Sequence, residues 1–90
     1  MAALSNTTRK VLEALADDDQ TIIITVRRST TAEWSARVQG PSARFAVRIT
    51  TFRMLRRTGL IAKAREWEVF GLIYAAYELT DAGRAALEVT

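Results

Sequence analysis

The chain has no cysteine and no histidine among its 90 residues. That excludes a disulfide framework, the usual zinc-ligand sets, thiol chemistry and the His-dependent catalytic triads. The commonest general base is missing too, so the expectation is a protein that is not an enzyme and has no metal or cofactor. Glycine occurs only four times, never in a phosphate-cradling pattern, which excludes a Walker loop and a dinucleotide fingerprint. Long hydrophobic runs are absent. The longest, Val69 to Tyr77, is nine residues and includes Gly71, well short of the ~20 a membrane helix needs. Met1-Ala2-Ala3-Leu4-Ser5-Asn6 has no basic flank and no apolar stretch behind it, so neither a signal peptide nor a membrane partner is expected. The cytoplasm is the expected compartment.

Acid is nearly missing from one long stretch. From Arg27 to Arg65 stand ten cations and a single acid, Glu33, a net charge of +9, while the remaining residues carry −6. Nine of those ten cations are arginine, whose planar fork suits phosphates and guanine edges. If the stretch is contiguous in space, the molecule has a basic pole and an acidic one. A solvated basic face is the competing reading, and nucleic-acid contact is preferred to it.

What is present reads as one domain over residues 1–90. The hydrophobic fraction of 49% fits a folded chain. At this length only about 60–65% of the unfolded surface is buried, so the core is thin. Thr7 to Ala16 reads as a helix with Val11, Leu12 and Leu15 on one face and Asn6 as N-cap. Asp17-Asp18-Asp19 ends it, since carboxylates oppose the dipole there; they read as a solvated loop rather than a metal site. Thr21–Val26, rich in β-branched residues, reads as a strand. Residues 30–39 fit two readings. Thr30 and Glu33 match a capping box ahead of a short helix bearing Trp34 and Val38, yet Trp34, Ala36 and Val38 also alternate as in a strand.

Ser42 to Thr58 carries the longest helical pattern, with Phe45, Ile49, Phe52 and Leu55 on one stripe and Gly59 at the C′ position. Arg48 falls within that stripe, which implies a later helix start or an irregular first turn. Leu60–Arg65 and Ile73–Leu79 read as antiparallel strands with Gly71 as the turn candidate. A final helix is expected from Asp81 to Val89, capped by Thr80.

Two strings carry a family resemblance. Phe52-Arg53-Met54-Leu55-Arg56-Arg57-Thr58-Gly59-Leu60-Ile61 resembles the end of a recognition helix running into a wing. Tyr77-Glu78-Leu79-Thr80-Asp81-Ala82-Gly83 resembles the return strand and "Leu-Thr-x-x-Gly" turn that follow it. Together they are similar to the winged helix-turn-helix domains of MarR-type and PadR-type bacterial regulators. The resemblance covers Phe52 to Leu87 and matches less well before it. It implies an α+β fold with a three-helix core, a C-terminal β-hairpin wing and a short final helix, with Thr31–Gln39 as the helix before the recognition helix.

The resemblance also implies double-stranded DNA binding by a transcriptional regulator, with an arginine-rich helix in the major groove. Thr50, Arg53 and Arg57 would face base edges, with Val47 or Met54 near a thymine methyl unless they simply pack inward. Arg44 and Arg48 would meet phosphate. Lys63 and Arg65 in the wing would reach the backbone or minor groove. The alternative is a winged-helix protein-interaction module with Trp67, Phe70 and Tyr74 as its patch; a third reading stacks those aromatics on single-stranded bases. A homodimer is expected, because Ile22-Ile23-Ile24 and Val69–Tyr77 hold more apolar surface than three short helices cover. Its candidate surfaces are the first helix around Val11 and Leu15, the Ile22–Val26 strand, and the last helix around Leu87.

Overall fold

The computed structural model of the protein describes residues 4–88. Met1–Ala3 and the expected end of the last helix at Val89 lie outside them. The first helix, α1 (Asn6–Asp17), begins one residue earlier than expected because Ser5, not Asn6, is its cap: the Ser5 hydroxyl accepts the Thr8 N–H at 3.1 Å. Val11, Leu12 and Leu15 form its buried face. The chain turns out of α1 at Asp18, whose carboxylate accepts the Gln20 N–H at 2.8 Å, and Asp19 pairs with Arg84 at 3.5 Å. The aspartate run is therefore a helix stop and a surface ion pair.

Three strands follow, β1 (Ile22–Arg28), β2 (Ser35–Gln39) and β3 (Arg44–Val47), before a nine-residue helix α2 (Ile49–Arg57). The hairpin of β4 (Ile61–Val69) and β5 (Leu72–Leu79) leads to α3 (Asp81–Glu88). All five strands form one antiparallel sheet in the order β3-β2-β1-β5-β4. This overturns the winged helix-turn-helix expectation. No helix occupies residues 30–39, and α2 is not preceded by a partner helix but by a β-hairpin.

The physical reason lies in the register. Ala36 and Val38 on β2 are buried against Ile23 of β1 and Val47 of β3, while Arg37 between them is exposed. That alternation buries Ala36 and Val38 and lets the segment's backbone pair with strands on both sides, which a helix bearing Trp34 and Val38 could not do. Trp34, left out of the sheet, is 54% exposed. The same logic divides the Ser42–Thr58 pattern. Phe45 and Val47 point inward from β3 with Arg44 and Ala46 outward, and Arg48 becomes the extended N-cap of α2.

The core lies on one side of the sheet. Ile23, Val38, Val47, Ile61, Ala75 and Tyr77 from the strands pack with Val11, Leu12 and Leu15 of α1 and Phe52 and Leu55 of α2, and Leu87 of α3 closes on the same cluster. Phe52 meets Tyr77 edge-on with ring centroids 4.8 Å apart. Strand alternation then sends Ile22, Ile24 and Val26 of β1 to the opposite face, over which no described element lies. Among the described residues, no helix is long and apolar enough to cross a membrane.

Candidate functional site

The cations of the Arg27–Arg65 stretch do not form one pole; the sheet separates them into two groups. On the helix side, α2 turns Phe52 and Leu55 inward, and its outer surface carries Thr50, Arg53 and Arg57, all exposed. That is the row expected for base contact. Arg48 stands exposed at the N-cap of the same helix, and no acidic residue occurs anywhere in α2. Lys63 projects to this side from β4, opposite Tyr77.

Arg44 and Arg65 lie elsewhere. Arg44 pairs with Gln39 and Arg65 with Ala76, positions whose side chains leave the far face of the sheet. They sit on opposite edge strands, about 19 Å apart by strand spacing. The helix side therefore carries Arg48, Thr50, Arg53, Arg57 and Lys63, but not Arg44 or Arg65. Val47 is buried and Met54 is packed against the core, so neither is free to meet a thymine methyl.

Glu33 decides how much of the helix-side charge is free. Its side chain is only 12% exposed and lies 3.2 Å from Arg56 Nη1 and 3.7 Å from Arg27 Nε, and its backbone carbonyl accepts from Arg53 Nη2 at 3.2 Å. The one acid of the basic stretch thus clamps the loop before β2 onto α2. Arg56 also donates to the Tyr77 hydroxyl at 3.4 Å. That hydrogen bond raises the Arg56 pKa, a partial burial opposes it, and the Glu33 charge adds to the rise, so Arg56 keeps its charge throughout any working pH range. Lys63 is engaged as well, donating to Glu66 at 3.2 Å. Arg48 and Arg57 have no carboxylate partner among the described residues, and Arg53 has only the carbonyl.

Sequence patterns assign Glu33 only helix capping and single out neither Arg28 nor Arg37, which are exposed on the far face. The alternation of residues 34–38 carries the signal for Arg37, since a strand reading puts it opposite Val38. The surfaces expected to pair two copies are mostly occupied: Val11 and Leu15 are core residues and Leu87 is packed against them. Among the described residues no cluster of three acidic side chains could hold a metal ion. No family model matches this chain, and no curated protein or solved structure matches it.

Proposed function

We propose that the protein binds double-stranded DNA through the outer surface of α2, acting without a catalytic step as a cytoplasmic regulator of transcription. The observation that carries this reading is the row Thr50, Arg53 and Arg57, exposed on a helix with no acid, beside Arg48, which has no carboxylate partner among the described residues. A nine-residue helix is about 14 Å long, enough for its exposed row to lie in a major groove ~12 Å wide. Arg57 and Arg53 supply forks for guanine O6 and N7, Thr50 a hydroxyl, and Arg48 and Lys63 phosphate contacts. This is helix-in-groove recognition on a sheet-based scaffold, not the helix-turn-helix geometry.

A homodimer belongs to the same reading. β4 is a nine-residue edge strand whose outer side pairs with nothing among the described residues. Antiparallel pairing of two β4 edges about a two-fold axis normal to the sheet keeps both α2 helices in one layer, where one duplex can meet both.

Fluorescence anisotropy with a 20-base-pair duplex tests the site. Arg57→Ala should weaken binding about five- to 150-fold for a bidentate base contact of about 1–3 kcal/mol, and Arg53→Ala should act in the same direction. Unchanged affinity in both variants would sink the α2 reading.

A further inference from the structure

The sheet face turned away from the helices is ordered in rows by the strand register. Arg37, Ile24, Ala76 and Arg65 lie in line across β2, β1, β5 and β4. The neighbouring row runs Ser35, Val26, Tyr74, Trp67. Beyond it lie Arg28, Leu72 and Val69, and on the other flank Arg44, Gln39 and Ile22. The face therefore has an apolar and aromatic middle with arginines at its margins. Ile24 and Ala76 are 8% and 2% exposed although no described element covers them, each ringed by the neighbouring side chains of this face. Trp67 and Tyr74 stack on one another, centroids 5.8 Å apart and 9° from parallel, and the Arg65 guanidinium lies 5.1 Å from the Trp67 ring.

Charge distinguishes this face from the rest of the surface. Arg28, Arg37, Arg44 and Arg65 have no carboxylate partner among the described residues, whereas every ion pair involves Arg27, Arg56, Lys63 or Arg84. The one acid that the register places here is Glu78, opposite Ala62. Next to Arg37 and Arg44 lies an open hollow of about 430 Å³ lined also by Ser35, Gln39 and Ala46.

We propose that this face is a platform for single-stranded nucleic acid, which stacks bases on the Trp67–Tyr74 pair and lays phosphates along Arg28, Arg37, Arg44 and Arg65. Aromatic platforms beside cationic tracks are the general solution for binding a single strand, since every base has a π-face and every nucleotide a charge. A second copy is a poor occupant. Two-fold pairing would bring eight arginines and two glutamates into one desolvated layer, at a large electrostatic penalty. A duplex is a poor occupant too, because a face about 19 Å across four strand spacings cannot enter a groove ~12 Å wide to reach base edges. The platform is independent of the duplex site on α2, which lies on the other side of the sheet.

The test is anisotropy with labelled 15-mers of dT and of rU, on the full chain. Both should bind, with similar affinity, because stacking and phosphate contact do not read the sugar. Trp67→Ala should weaken both about five- to 150-fold, the equivalent of about 1–3 kcal/mol per stacked base, and Trp67→Phe should restore most of the loss. The double variant Arg37→Ala/Arg44→Ala should flatten the salt dependence by about 0.7 per lost contact. In a Trp34→Phe background, where Trp67 is the sole tryptophan, its fluorescence should be quenched by the strand. Arg57→Ala should leave strand binding unchanged while weakening the duplex. No binding of either 15-mer at low salt would overturn the proposal, as would full affinity in Trp67→Ala. Equal loss of strand and duplex binding in Arg57→Ala would place both ligands on α2 and overturn it as well.

Discussion

Phe70 has φ +50° and Gly71 φ +80°, so the β4–β5 hairpin closes through two left-handed residues, the type I′ arrangement. The first of these positions favours asparagine, aspartate or glycine. A phenylalanine there is strained, and its side chain recovers nothing by packing, since it is fully exposed. Phe70→Asn should therefore stabilise the protein by about 0.5–1 kcal/mol, seen as a higher urea midpoint at unchanged slope. A lower midpoint would mean that the ring is held by contacts that its exposure contradicts. Glu33 shows the opposite economy at the same scale: one largely buried carboxyl group serves two arginines and fixes a loop.

At the scale of elements, α3 accounts for the string that resembles the regulators. Thr80 accepts the Gly83 N–H at 3.0 Å and donates to the Gly59 carbonyl at 2.7 Å, capping α3 and tying it to the end of α2. Gly83 lies where a Cβ would strike the Leu60 carbonyl and the Leu79 side chain. "Leu-Thr-x-x-Gly" here docks a helix onto the end of a strand. Alanine inside a helix ordinarily gains up to about 1 kcal/mol over glycine, but here α3 would have to lift. Gly83→Ala should destabilise by about 1–3 kcal/mol net, measured by denaturant unfolding; a gain in stability would show that α3 is loosely seated.

The elements whose periodicity had one solution were legible in the sequence: α1, β1, the β4–β5 pair, although β4 continues to Val69 past the expected end at Arg65, and α2 from Ile49 onward. The β2–β3 hairpin was not, because Phe45, Ile49, Phe52 and Leu55 keep helical spacing by continuing inward from a strand into a helix. Arg48, misplaced in a helix beginning at Ser42, marks the junction where the strand ends. Tertiary pairing decided residues 34–38, since only the neighbouring strands β1 and β3 make the alternating reading the one that buries Ala36 and Val38. The row Thr50, Arg53, Arg57 was legible because it depends on α2 alone. The grouping of Arg44 and Arg65 with it was not, because which side of the sheet they leave depends on the register of four other strands.

At the scale of the molecule, three helices among the described residues cover one face of a five-stranded sheet and none covers the other, and the arginines divide between the two sides. Uncovered apolar surface was the basis for expecting a dimer. That surface exists, but its rim of arginines without a carboxylate partner among the described residues disfavours self-pairing through it, so the edge of β4 is the junction offered here. Sedimentation at micromolar concentration should then give about twice the 10.0 kDa chain mass, and a mass near that of one chain across the range would contradict the edge-paired dimer. The central claim, duplex binding by α2, is tested most directly by titrating a duplex at 50 and 200 mM salt. With about three to five phosphates neutralised, the logarithmic slope should be about −2.7 to −4.5, a roughly 40- to 500-fold loss of affinity. Affinity that does not change between those salt concentrations would contradict it.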